Sequence, residues 1–202
     1  VSQLIAIGHM AGYRSTSGYS VAVGREAGKE ETGAYAWTHV GNGTGAYQKI
    51  GSGNANNTSL GYYAANRNVT GTSNTMIGKD AGYYNTGTAN VAVGVSAFYG
   101  GSGRDFAGAN VAIGNSAFAE GVIGSIGRSV AVGTYAGRHA TGSYNTFMGY
   151  QAGNGTHVAP YSSGQYNTAL GYQSLLKFTT GGNNVSIGQS SQYELTTGNY
   201  NV

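Results

Sequence analysis

The sequence predicts an all-β fold, a parallel β-solenoid (β-roll) of about eleven coils that are 16 to 22 residues long. One observation is a short apolar motif ending in glycine, which returns at a spacing too short for a helical repeat. The other is the composition, since 37 glycines, 17 tyrosines and 8% charged residues do not fit an ordinary α/β domain. The motif glycines are Gly8, Gly24, Gly41, Gly61, Gly78, Gly94, Gly114, Gly133, Gly149, Gly171 and Gly188.

Each motif alternates as a β-strand does. In the copy at Val91, Ala92 and Val93, a period of two places both valines on one face. We expect these larger residues to point into the roll. The small central residues would then form a flat strip on the outer face, made of Ala22, Ala92, Ala112 and Ala131.

The remainder of each coil predicts a corner at the motif glycine, a second short strand that carries a small residue such as Ala97, and a second corner. Thr-Gly or Ser-Gly pairs mark that second corner, where glycine suits a positive φ. The glycines of these pairs are Gly18, Gly33, Gly71, Gly87, Gly142, Gly164, Gly181 and Gly198.

An asparagine precedes most of the predicted strands. Stacked coils would place these side chains one above another at about 4.8 Å, where amides form hydrogen-bonded ladders. The alternative is that asparagine merely tolerates the turn. The residues are Asn57, Asn74, Asn90, Asn110, Asn145, Asn167, Asn184 and Asn201.

Charge and composition exclude several classes of function. Ten basic and seven acidic residues are scattered singly, which argues against nucleic-acid binding. The absence of cysteine excludes disulfides and thiolate chemistry, and no apolar run reaches the roughly 20 residues of a membrane span. We expect residues 1–202 to form a single solenoid domain, a fragment of a longer fibre protein. Because such a thin roll encloses little apolar volume, we also expect a homotrimer around the alanine strip.

The strand motifs Val21-Ala22-Val23-Gly24 and Val111-Ala112-Ile113-Gly114 resemble those in the heads of trimeric autotransporter adhesins, which are left-handed parallel β-rolls. The longer repeat at Tyr166–Leu175 is more similar to the repeats of bacteriophage tail fibres. The long step and the irregular insertions favour the tail fibre. The resemblance implies a trimeric, extracellular or virion-borne fibre, and left-handedness is implied by it alone.

No motif predicts chemistry. The segment Gly100–Asp105 matches the start of a calcium-binding nonapeptide, but a lone copy cannot share ions between turns. The acidic residues Glu26, Glu30 and Glu31 are interpreted as a solvated face, and no Ser-His-Asp or paired-carboxylate arrangement stands out. We therefore predict no catalytic residue, no cofactor and no metal site. The histidines are spread over four coils: His9, His39, His139 and His157.

Four insertions interrupt the regular coils, and three of them bring aromatic, basic and histidine residues together. That mixture is typical of surfaces that contact carbohydrate or protein. The alternative is that the insertions are spacers or subunit braces, and exposed tyrosines can equally pack between coils. The receptor-binding candidates are Trp37, His39, Tyr47, Tyr99, Arg104, Phe106, His157 and Tyr161.

The leading functional hypothesis is a non-enzymatic, trimeric segment of a phage tail fibre on the virion, serving as a shaft or binding a host surface glycan or protein. The alternative is the head of a bacterial trimeric adhesin at the cell surface. A polysaccharide-degrading tailspike enzyme or an ice-binding solenoid is more remote, because converging carboxylates and Thr-x-Thr ladders are missing from the sequence.

Overall fold

The computed structural model describes residues 3–16, 18–48, 53–100, 107–120, 126–158 and 161–202. These residues contain no helix and form a β-solenoid of about ten turns. The strands are β1 Leu4–Ile7, β2 Ser20–Val23, β3 Ala34–Tyr35, β4 Thr38–Val40, β5 Gly53–Asn54, β6 Thr58–Leu60, β7 Thr75–Ile77, β8 Val91–Val93, β9 Val111–Ile113, β10 Val130–Val132, β11 Thr146–Met148, β12 Thr168–Leu170 and β13 Val185–Ile187.

One parallel sheet runs the length of the solenoid. Eleven strands follow one another in chain order, with only β3 and β5 set apart as a separate pair. The register keeps the motif aligned, since Val91, Ala92 and Val93 face Val111, Ala112 and Ile113 of the next coil. Ten steps at about 4.8 Å give a sheet roughly 50 Å long. The predicted parallel solenoid, with one motif strand per coil, is confirmed.

The predicted orientation of the motif residues is wrong. Ala92, Ala112 and Ala131 are fully buried inside the roll, whereas Val91 and Val93 on either side of Ala92 are partly exposed. The interior is so shallow that the central position accepts a small side chain in most coils. The larger aliphatic residues therefore lie on the outer face of the sheet, and the alanine strip cannot be an interface.

Larger core residues fill the middle of the roll. Phe98, Phe118, Phe147 and Phe178 follow one another along the axis, with ring centroids 5.5 to 6.2 Å apart, and all four are fully buried. Contacts at this separation stabilise aromatic pairs by about 0.5–1.5 kcal/mol beyond their burial. These four rings fill core space that the small alanine side chains leave open.

In most coils of the described chain the second half is a hydrogen-bonded turn rather than the predicted second strand, and a short strand occurs there only as the pair β3 and β5. In the turn after β8, Ser96 and Phe98 have φ values of 54° and 52°. Every second residue there thus adopts the left-handed backbone conformation. The Ser96 N–H donates to the Lys79 carbonyl of the preceding coil, and the Phe98 N–H donates to the Ala117 carbonyl of the following coil. The turns are thus joined to both neighbours without adopting β-conformation.

The motif glycines are required by geometry at the corner. Gly114 has a φ of 129°, and a Cβ there would lie 2.5 Å from the carbonyl oxygen of Gly133 in the next coil. Any side chain would collide with backbone. The repeat therefore depends on glycine for close approach as well as for positive φ.

The asparagine ladder is confirmed, and its bonds run mainly to the backbone. The side-chain oxygen of Asn145 accepts the backbone N–H of Asn167 at 2.8 Å. The amide nitrogen of Asn145 donates to the carbonyls of Gly142 and Gly164 at 3.0 and 2.9 Å. Asn57, Asn74, Asn167 and Asn184 donate to a corner glycine in the same way, whereas Asn110 donates to the carbonyls of Ala107 and Ile126.

Candidate functional site

The predicted receptor-binding residues do not form one site. Tyr99 and Tyr161 are 38% and 36% exposed, and His157 is also exposed. Tyr47 is half-buried, with the Arg67 guanidinium carbon 5.7 Å from its ring centroid. Tyr47 and Tyr99 lie in two different coils and His157 and Tyr161 in a third, so these residues remain separate candidates. Two others, Arg104 and Phe106, lie outside the described residues.

Trp37 and His39 lie in the core, which corrects the expectation that they face a receptor. Both are buried, and their rings stack with centroids 4.5 Å apart. Trp37 occupies the ladder position that asparagine takes in most coils, and its backbone N–H donates to Ser20 Oγ at 3.4 Å. The coil that the sequence marks as irregular has an unusual interior rather than an unusual surface.

A buried chain of polar side chains surrounds His39. Its Nδ1 lies 2.5 Å from Ser59 Oγ, and its Nε2 lies 3.2 Å from Glu31 Oε2. Glu31 is fully buried, so its assignment to a solvated acidic face is wrong. Burial raises the pKa of Glu31, and the contact with His39 offsets part of that rise.

The residue types of this chain are those of a Ser-His-acid catalytic group, yet the arrangement does not support catalysis. Ser59, His39 and Glu31 are all inaccessible to solvent, and the imidazole of His39 is covered on one side by Trp37. A nucleophile must reach its substrate. We therefore assign these residues a structural role.

Two histidines come closer together than the sequence suggests. His139 and His157 lie in neighbouring coils with ring centroids 5.2 Å apart. Burial lowers the pKa of His139. Within the described residues, no group of three or more side chains is arranged to hold a metal ion.

The outer face of the eleven-stranded sheet is a continuous feature of the described surface. In the register of the sheet, the residue that follows the central position (Ala92 in β8) is aliphatic in all eleven strands, and the residue that precedes it is Val, Ile or Thr. We call these the aliphatic column and the Val/Thr column. The aliphatic column consists of Ile7, Val23, Val40, Leu60, Ile77, Val93, Ile113, Val132, Met148, Leu170 and Ile187.

The aliphatic column is open to solvent in the single chain. Ile7, Leu60, Met148 and Ile187 are 60%, 47%, 43% and 63% exposed. No charged side chain occupies either column. The aliphatic column is thus a continuous apolar stripe along the whole sheet, beside a column in which valine, isoleucine and threonine are mixed.

Among the described residues no helix has the length and apolarity needed to cross a bilayer. Comparisons with models of known protein families, with curated proteins and with solved structures found no match.

Proposed function

We propose that this chain is a non-enzymatic shaft segment of a trimeric fibre, of the kind carried on phage tails. The observation that carries the proposal is the uninterrupted aliphatic column on the outer face of the sheet. A monomer would leave that column in water over its full length, at a cost proportional to the apolar area. Association of identical chains along the fibre axis removes it from water.

The dimensions of the face suit such an assembly. Its two columns, about 7 Å apart, and about ten coil steps of about 4.8 Å make a strip on the order of 350 Å². That value lies within the roughly 300–600 Å² of the largest apolar patch on a typical monomer, a patch that is often functional. The neighbouring corner residues Val95, Tyr150 and Tyr172, which are 42–49% exposed, extend this apolar strip.

The difference between the two columns favours a ring of copies. In a ring of three parallel chains, each chain uses one surface toward one neighbour and a different surface toward the next, whereas a two-fold axis along the fibre would pair identical surfaces. The aliphatic column of one copy and the Val/Thr column of the next provide two such surfaces on one sheet. Three copies then close the ring around a common apolar axis.

The test is the molar mass of the native segment, measured by light scattering on a sizing column. We expect three times the 20.6 kDa chain mass. Ile113→Lys places a charge on the aliphatic column, where Ile113 is 39% exposed, and should dissociate the assembly without unfolding the coil. The matched control is Thr88→Lys, at an exposed corner away from the strand face. A monomeric native segment, or equal effects of the two variants, would contradict the proposal.

The location of the fibre needs its own experiment. An antiserum raised against the segment should label the tails of purified virions and block their adsorption to host cells. Labelling of a bacterial surface instead would assign the segment to an adhesin. If the antiserum labels neither virions nor a bacterial surface, both the tail-fibre and the adhesin form of the proposal are contradicted.

A further inference from the structure

Five tyrosines from three successive coils form a continuous aromatic cluster on the surface. Ring centroids are 4.1 Å apart for Tyr62 and Tyr63, 6.3 Å for Tyr63 and Tyr83, 4.7 Å for Tyr83 and Tyr84, and 5.7 Å for Tyr83 and Tyr99. Tyr62 and Tyr99 are 48% and 38% exposed, and the other three are half-buried. We call this group the tyrosine cluster.

The backbone beneath the tyrosine cluster is held in place. The Tyr63 N–H donates to the Asn42 carbonyl at 2.9 Å, and the Arg67 N–H donates to the Tyr83 carbonyl at 2.8 Å. The ring of Tyr63 lies against Gly43, where any Cβ would collide with it. A ligand that binds these rings would therefore order few additional groups, which favours affinity.

Charged groups of both signs border the rings. The Arg67 guanidinium lies beside the Tyr83 phenol, and this contact raises the pKa of the guanidinium. Asp80 lies near enough to Tyr99 for its charge to raise the pKa of that phenol, although burial of the phenol is the larger cause. The Oδ2 atom of Asp80 is 3.9 Å from the Nζ atom of Lys79. The border thus offers hydrogen-bond donors and acceptors with little net charge.

We propose that the tyrosine cluster binds a carbohydrate chain that is neutral or weakly charged. A sugar ring has an apolar C–H face and a polar rim of hydroxyls, which matches tyrosine rings bordered by Arg67 and Asp80. A nucleic acid would require a surplus of cations, which the mixed charges here do not supply. Tyr83, Tyr84 and Tyr99 lie on the turn segments rather than on the strands of the proposed trimer contact, so this site is independent of the trimer.

The test uses the whole 202-residue chain, fluorescently labelled, on a printed array of purified bacterial O-chain and capsular polysaccharides. We expect binding to at least one polysaccharide. Tyr62→Ala and Tyr99→Ala alter the two most exposed rings, so the coil should tolerate them. Each should weaken binding about tenfold, which is about 1.4 kcal/mol. Tyr99→Phe, which keeps the ring, should bind like the native chain.

The matched control is Tyr144→Ala. Tyr144 is 40% exposed and stacks on Tyr166 with centroids 4.9 Å apart, outside the tyrosine cluster. Its substitution should change binding by less than about twofold. The proposal is overturned if no polysaccharide is bound, or if Tyr62→Ala and Tyr99→Ala bind as the control does. Binding only to protease-sensitive components of the host envelope would assign the cluster to a protein partner and also overturn it. Because the molar mass is measured on the same samples, loss of carbohydrate binding can be distinguished from loss of the trimer.

Discussion

Asn145 is the position at which the asparagine ladder is tested most sharply. Its side chain is buried and contacts three backbone groups: the N–H of Asn167 and the carbonyls of Gly142 and Gly164. Asn145→Ala removes all three bonds at once. An unmade hydrogen bond at a buried group costs about 1–3 kcal/mol, so for three bonds we expect a loss of about 3–9 kcal/mol in the free energy of unfolding.

The variant Asn145→Asp separates the ladder from a simple turn preference. An aspartate retains the acceptor for Asn167 but points a carboxylate at two carbonyl oxygens. Burial and those carbonyls favour the protonated acid, so its pKa in the folded state is raised. The stability of this variant should therefore be greatest below the unfolded pKa of about 4 and should fall as the pH rises through the folded pKa.

The assay is urea unfolding followed by circular dichroism between pH 4 and pH 8. The control is Asn115→Ala, at an exposed asparagine outside the ladder, which should change stability by less than about 0.5 kcal/mol. If Asn145→Ala costs no more than this control, or if the Asp variant follows the pH dependence of the native chain, the ladder does not stabilise the solenoid as argued.

Three further predictions follow from the coil interior. Gly114→Ala should lower the free energy of unfolding by more than about 3 kcal/mol, because the added Cβ would collide with backbone of the next coil. Gly188→Ala, at a φ of 113° with nothing within 4 Å of the added Cβ, should lower it only by the backbone strain of about 1–2 kcal/mol. Equal melting temperatures of the two variants would contradict this. Ala112→Lys should abolish folding, seen as a lost circular dichroism spectrum, because it buries a charge, while Ile113→Lys should keep the spectrum. Glu31→Gln should gain stability over the native chain as the pH rises above 4.5, by at most about 1.4 kcal/mol per pH unit, because burial raises the pKa of Glu31 and ionisation in the folded state is costly. A constant difference between pH 4.5 and pH 8 in urea titrations would show that Glu31 does not titrate as argued.

The period of the sequence was enough to predict the strands and their register. Alternation around Ala92, the glycine at Gly94 and the asparagine at Asn90 recur together, and a parallel stack is the arrangement that aligns all three. Asparagine was informative because its amide has both a donor and an acceptor, which a stacked corner can use. These features depend on local chemistry that repeats in each coil.

Alternation could not decide which face lies inside. Hydrophobicity alone favours burying Val91 and Val93, but the inner space is set by the opposing turn, which only the folded coil reveals. The same uncertainty hid the contact of His39 with Ser59. Both occupy the central strand position held by Ala92 in a regular coil, so they follow as neighbours once that position is known to be internal.

The prediction of a second strand was wrong because several residues in that half of the coil adopt the left-handed backbone conformation without being glycine. Ser96 and Phe98 adopt positive φ where sequence rules expect glycine or asparagine. Bonds to both neighbouring coils offset that strain, and such bonds depend on the stack rather than on the local sequence. The tyrosine cluster was not predicted for a related reason. Its members come from three coils, so their contacts also depend on how the coils stack.

The measurement that tests the central claim most directly is the distance between copies of a single spin label in the assembled segment. The chain has no cysteine, so one can be introduced at Ile113 on the aliphatic column or at Glu120 in a turn segment. If three copies pack through the outer face, labels at Ile113 should show short intermolecular distances, consistent with faces about 10 Å apart, and labels at Glu120 should lie much farther from one another. Absence of an intermolecular signal, or a shorter distance at Glu120 than at Ile113, would contradict association through the outer face of the sheet.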